Sequence, residues 1–269
     1  MGVHTHTLTH APPPTFIIII SDFSTIFKNP LTKMLPKCNN IVMAKKQIQL
    51  APLDFVKLAV SQDTFRPLLN SVLHEDDTLV ATDTHRLHIA TRVSTTENKT
   101  MLHVGKNCDL KGDPNNYPNW RRVVPEQNAL KLSVTGSEFQ FFCTQIRQFL
   151  KTDKGFIDRA VFVWDVEKNV LTVNAEKGNV KASFEYTGEF KFEFLEPFEE
   201  VKKFKVGVNI NYLIDALQVS KYDVTILFGN MENIKDYSGE VLFHQCKRPL
   251  TISNYEDTLK AVVMIMDLY

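Results

Sequence analysis

The sequence predicts an α+β fold in which short helices lie on one face of antiparallel sheets and that plan is repeated along the chain. Two observations carry this. From Gln47 onward one arrangement recurs, a short amphipathic helix followed by strands that alternate apolar and polar residues. The composition, 43% hydrophobic and 23% charged over 269 residues, is that of a folded globular chain with a sizeable core.

The first copy of the plan runs from IQLAP through DFVKLAV and RPLLNSVLH to TLVATDTHRLHIATR, and the loop-like KNCDLKGDPNNYPNW follows it. In the second copy Ser137 with Gln140 reads as a capping box, and Phe139, Phe142, Ile146, Phe149 and Leu150 share one helical stripe. AVFVWDV and VLTVNA come next, around a polar Glu167-Lys168-Asn169 turn. Val180, Ala182, Phe184 and Tyr186, then Phe190, Phe192 and Phe194, keep period two and predict half-buried antiparallel strands. The third copy opens at FKVGVNINYLIDALQVS, where Ile210, Leu213, Ile214 and Leu217 form a helical stripe, and continues through VTILF, EVLFHQ, PLTIS and KAVVMIM. These copies predict three half-domain repeats with helices on one face of the sheets. The run Val262-Val263-Met264-Ile265-Met266 reads either as a core edge strand or as an adaptable, methionine-bearing peptide surface.

Residues 1–42 differ from the rest. They carry His4, His6, His10 and a Pro12-Pro13-Pro14 run without sustained periodicity, so little fixed structure is expected there. Met43 opens MAKKQIQL, which makes 1–42 either a disordered arm or sequence upstream of the start. The expected divisions are a half domain over 43–113, a linker over 114–125 and a complete domain of two repeats over 126–269.

Lys plus Arg and Asp plus Glu are equal at 31 each, which argues against a nucleic-acid binder acting through bulk positive charge. No apolar run approaches the ~20 residues of a membrane helix. Cys38, Cys108, Cys143 and Cys246 are widely spaced and read as free thiols in a reducing compartment, so a cytoplasmic protein without membrane contact is expected.

The Thr, Asp and His of TDTHRL, residues 82–87, invite a catalytic reading through Asp83 and His85. No nucleophile motif accompanies them, and the plainer reading is a strand end with a structural Asp and a surface His-Arg pair. The common phosphate-loop, dinucleotide, zinc-protease and hydrolase signatures are absent, and ten glycines leave little room for a phosphate cradle. No catalytic residue, metal or cofactor is therefore expected; His4, His6 and His10 have no Cys or carboxylate neighbour and read as a soluble tail. Lys202, Lys203 and Lys205, with Arg147 and Lys151, read as solvated charges or as contacts to a phosphate backbone.

Four segments in order, RPLLNSVLHEDDTLVATDTHRLHIA, YPNWRRVVP, NINYLIDAL and VVMIMDLY, resemble the bacterial DNA polymerase III beta subunit, the sliding clamp. The resemblance covers roughly residues 47–95 and 117–269 and implies the DNA-clamp fold. It implies a processivity factor, not an enzyme: a homo-oligomeric ring around double-stranded DNA that holds on without reading sequence. Polymerase and clamp-loader subunits would dock short Gln-Leu-Phe-type motifs in a hydrophobic pocket. Carried over by position, that pocket uses Thr82, His85, Arg86, Leu87, Pro118, Arg122 and Val123. The third repeat adds Asn209 and Tyr212, then Val262, Val263, Met264, Ile265, Met266 and Leu268, and Phe156 joins from the helix-to-strand turn. Arg147, Lys151 and Lys221 would face DNA. This chain departs from the family pattern at Thr84 (glycine), Ile265 (proline) and Asp267 (arginine), and it lacks the length of a three-domain clamp. A clamp-like adaptor or decoy that binds such peptides without closing a ring is the competing expectation.

Overall fold

Two sheets share one core in the computed structural model, which describes residues 18–20, 51–97, 99–104, 113–126, 128–151, 159–195, 202–229, 231–235, 238 and 241–268. The chain order begins with β1 (Ile18–Ile20), α1 (Pro52–Lys57), β2 (Ser71–Glu75), β3 (Thr78–Thr82), β4 (Arg86–Ala90) and β5 (Thr100–His103). It continues with β6 (Leu130–Thr135), α2 (Gly136–Leu150), β7 (Arg159–Asp165), β8 (Val170–Lys177), β9 (Val180–Tyr186) and β10 (Phe190–Phe194). The last stretch holds β11 (Lys203–Asn209), α3 (Ile210–Ala216), β12 (Asp223–Phe228), β13 (Met231–Lys235), β14 (Val241–Cys246), β15 (Leu250–Asn254), β16 (Leu259–Val263) and β17 (Ile265–Met266). One sheet runs β1-β9-β8-β7-β11-β14-β13, with β17 also on β11; the other runs β10-β6-β12-β15-β16-β4-β3-β2-β5.

The apolar stripes place the helices. Phe139, Phe142, Ile146 and Leu150 of α2 are buried, as are Ile210, Leu213 and Ile214 of α3. The two helices pack on each other; α2 also meets β6 and β8, and α3 meets β11 and β16, so the helices lie on the inner faces of both sheets. Between them sits an aromatic cluster in which Phe204 stacks on Trp164 at 4.7 Å and meets Phe228 edge-on at 5.2 Å. Such pairs add about 0.5–1.5 kcal/mol each to the burial of their area.

Several expectations change. The Ser137–Gln140 capping box does not form: Thr135 is the N-cap and makes no side-chain cap bond. The first N–H groups of α2 go instead to the carbonyls of Tyr222 (from Gly136, 2.6 Å) and Lys221 (from Ser137, 2.9 Å), while the Gln140 amide donates to the Ile214 carbonyl at 3.1 Å. Tertiary backbone acceptors have displaced a local cap. β16 is no edge strand, since it lies between β15 and β4, and its apolar character on both faces follows from that interior position. Within residues 1–42, Ile18–Ile20 form a strand antiparallel to β9. His4, His6, His10, Cys38 and Cys108 lie outside the described residues; Cys143 and Cys246 are buried free thiols.

The pairing is antiparallel except at one place. β11 gives one whole edge to β7 and divides the other: Phe204 and Lys205 pair in parallel with β14, whereas Gly207 and Val208 pair antiparallel with β17. Gly207 makes this possible. A Cβ there would stand 2.9 Å from both Leu268 Cδ2 and the Met266 carbonyl oxygen, so only glycine lets the C-terminal strand lie so close.

The nine-stranded sheet is apolar on its outer face as well. Leu73, Val80, Leu87, Ile89 and Val262 alternate outward, and Tyr117, Trp120 and Val124 cover them. An ion pair fastens this cover: Arg121 Nη1 lies 2.6 Å from Glu75 Oε2, and Lys99 Nζ 2.5 Å from Oε1. Burial alone would raise the Glu75 pKa, but the hydrogen bonds and charges of Lys99 and Arg121 outweigh it and hold the carboxyl below its ordinary 4.5. A depressed carboxylate contributes stability above its unfolded pKa and loses it as pH falls through the folded value. Glu75→Gln is therefore expected to lower stability by about 1–2 kcal/mol at pH 7, because the two cations left behind are half exposed and regain water. Urea titrations should show that deficit constant down to about pH 5 and shrinking below pH 4.5; a deficit unchanged at pH 3 would mean that packing, not charge, is responsible.

Candidate functional site

TDTHRL forms the turn between β3 and β4, held by its own polar groups. Asp83 Oδ1 accepts the N–H groups of His85 and Arg86 at 3.0 Å each, and Thr82 Oγ1 donates to the Arg86 carbonyl at 2.6 Å while accepting the Thr84 N–H at 3.1 Å. Asp83 Oδ2 meets Arg86 Nε at 3.0 Å, and Arg86 Nη1 also binds Asp215 Oδ2 of α3. The His85 ring stacks on Tyr212 at 6.0 Å, over which the Arg86 guanidinium also sits at 4.7 Å. Asp83 is thus a turn and ion-pair residue, as the plainer reading expects, and His85 faces an aromatic ring; Arg86, expected at the surface, is instead largely buried between Asp83 and Asp215.

Thr84 has φ +77°, in the left-handed region that a β-branched residue rarely adopts. Glycine, the residue that the resemblance leads one to expect at this position, adopts such a φ without strain. Thr84→Gly is expected to raise stability by about 0.5–1 kcal/mol, the relief of strain exceeding the added freedom of the unfolded chain. Thermal unfolding would register this as a midpoint about 1–3 °C higher; a lower midpoint would show that the turn is unstrained.

Residues 117–124 cross the outer face beside this turn. Pro118 precedes a 3-10 turn over Trp120–Val123, and Trp120 packs onto the cluster containing Leu87 and Val262. At the end of β16 the strand breaks at Met264, whose N–H donates to the His85 carbonyl at 2.9 Å, before β17 crosses to the other sheet. These three segments enclose an apolar pocket of about 220 Å³, with Thr82, Arg86, Leu87, Pro118, Val123, Val262 and Met264 in its wall. Val123 is 45% exposed and Met264 41%, so two of its apolar walls stand open to a partner.

Other expected residues lie elsewhere. Tyr212 and His85 form the aromatic stack next to the pocket. Asn209 caps α3, its Oδ1 accepting the Asn211 N–H at 3.0 Å. Val263 points to the inner core, Ile265 and Met266 pair with Val208 and Gly207, and Leu268 rests against Gly207. Arg122 lines a neighbouring recess, and Phe156 lies outside the described residues.

Trp120, Thr84 and Asn119 also line the pocket and were not foreseen. Tyr117, Trp120 and Val124 at i, i+3 and i+7 are the signal that marks Trp120 as packed.

The cations expected to face DNA occupy the two ends of α2. Arg147 in its last turn and Lys151 just after it are exposed, and Lys221 is half-buried beside the N-terminus, roughly 20 Å away by helical rise. Lys203 and Lys205 lie on the opposite, outer side of β11, since Phe204, Val206 and Val208 point into the core. Lys203 pairs with Asp165 at 3.7 Å and Lys202 with Glu167 at 3.1 Å.

No protein-family model matches the chain, and no curated protein matches it in sequence. Solved structures do. The beta sliding clamp of Caulobacter crescentus superimposes on 87% of this chain and 69% of its own length, at TM-score 0.60 and 15% identity. DNA polymerase III subunit beta from Borrelia burgdorferi matches over 86% and 67%, at 0.59 and 14%. The beta subunit from Thermotoga maritima matches over 98% and 68%, at 0.59 and 15%. The chain has the sliding-clamp fold.

Proposed function

We propose that this protein is a DNA polymerase processivity factor, a sliding clamp that tethers a polymerase through the pocket described above. The observation that carries the reading is convergence: segments near residues 82–87, 118–123 and 262–264, far apart in sequence, wall a single apolar pocket. Such a pocket buries the Leu and Phe anchors of a Gln-Leu-Phe-type motif from a polymerase or clamp-loader subunit, while Thr82 and Arg86 offer polar groups that set its direction. The rest of the reading is a half domain over 43–113, a linker over 114–125 and a two-repeat domain over 126–269. They assemble as a homo-oligomeric ring in the cytoplasm, with Arg147, Lys151 and Lys221 toward the DNA backbone. Holding is topological and no reaction is catalysed.

A fluorescence-polarisation titration of the full chain with a labelled Gln-Leu-Phe-type peptide tests the pocket. Saturable binding, weakened at least tenfold in Val123→Ala plus Met264→Ala, both of which wall the pocket, is expected; absence of binding to folded protein would leave only a shared fold. A second reading is an adaptor that binds peptide without closing a ring. Retention on nicked circular DNA, released by linearising it, distinguishes a ring from such an adaptor.

A further inference from the structure

Beside the apolar pocket, and sharing Val123 with it, is a recess of about 380 Å³ whose wall holds two arginines, Arg122 and Arg248, and one carboxylate, Glu126. Arg122 comes from the 3-10 turn before β6, and Arg248 from the connection between β14 and β15. Among the described residues neither arginine has an ion-pair partner within 4.0 Å, unlike Arg66, Arg86 and Arg121. Arg248 is also held in place. Its carbonyl accepts the Cys246 thiol at 3.2 Å, and its Cβ lies 2.5 Å from where a side chain at Gly229 would begin, so glycine there admits the arginine stem.

Two guanidinium groups against one carboxylate leave the recess positive, and a pair of arginines suits a carboxylate better than a neutral group. Because Val123 belongs to both walls, an extended peptide anchored in the apolar pocket reaches the recess within one or two residues, at about 3.3 Å each. We propose that the partner of this site is an acidic-flanked peptide: next to its apolar anchors it carries an Asp or Glu whose carboxylate binds Arg122 and Arg248. The inference rests on the peptide-docking reading and specifies its partner.

The test uses the full chain and labelled peptides with one Gln-Leu-Phe-type core, flanked on either side by Asp-Asp or by Asn-Asn. One Asp-Asp peptide should bind about fivefold or more tightly than its Asn-Asn match at low salt, with the gap narrowing in 0.5 M NaCl. Arg248→Ala should abolish the gap while leaving the Asn-Asn affinity within about twofold, and Arg248→Glu should reverse the preference toward a Lys-Lys flank. Equal affinities, or a gap that survives Arg248→Ala, overturn the inference but leave the docking reading intact. Failure of every peptide to bind folded protein overturns the docking reading and the inference with it.

Discussion

An Arg86→Met chain is expected to lose about 3 kcal/mol of stability and at least tenfold in affinity for a Gln-Leu-Phe-type peptide. The guanidinium is 12% exposed and bridges Asp83 at 16% and Asp215 at 29%, joining the TDTHRL turn to α3. Removing it leaves two poorly hydrated carboxylates facing each other, a larger cost than losing a surface pair. It also frees Tyr212 from the cation above its ring and deforms the pocket wall to which Arg86 contributes. Asp215→Asn should cost less, about 1–2 kcal/mol, and the double variant should cost clearly less than the sum, because the isolated charge is then gone. Chemical denaturation with the peptide titration measures both effects. A loss under 1 kcal/mol with unchanged affinity would mean that this ion pair does not hold the joint.

The second large effect is acid sensitivity from His88. Its ring is fully buried, stacked on Phe55 at 4.4 Å, with Nδ1 2.9 Å from the Phe55 carbonyl and Nε2 without a partner among the described residues. Nδ1 therefore carries the proton of a neutral ring. Burial is the main cause that pushes its pKa down to about 3, with Arg86 adding to it and the Phe55 carbonyl opposing. Below its ordinary 6.5 the unfolded chain takes up a proton that the fold refuses, so stability falls with pH, by up to about 1.4 kcal/mol per unit. Between pH 6.5 and 4.5 His88 alone should remove about 2–3 kcal/mol. His88→Gln keeps a donor for Phe55 and is expected to be about 1–2 kcal/mol less stable at pH 7.5, yet equal to or more stable than the parent near pH 4.5. Urea midpoints that run parallel for the two proteins across this range would contradict the assignment.

Both effects come from residues whose environment is invisible in sequence. Arg86 and Asp215 are 129 positions apart, and His88 looks like one more polar residue of an alternating strand until the inner face of β4 turns it onto Phe55. What was legible from the residues alone is periodic: the α2 and α3 stripes and the strands β7 to β10. Periodicity fails where burial is slight. β5 and β13 lie at sheet edges and hold no fully buried residue, and β5 carries its two apolar residues side by side, so no alternation announced them. The expected capping box failed for a different reason, since Tyr222 and Lys221 supply carbonyls that no local motif encodes. In the pocket, resemblance identified the walls contributed by β4 and β16, but Trp120 required its partners on the outer face to be in place.

The central claim, that three distant segments build one docking pocket, is tested most directly by photo-crosslinking. A Gln-Leu-Phe-type peptide carrying photoleucine at its Leu position would be irradiated with the full chain and the adducts located by mass spectrometry. Adducts concentrated on Trp120, Val123, Val262 or Met264 and competed away by unlabelled peptide are the predicted result; adducts elsewhere on the folded chain, or none that compete, would contradict it.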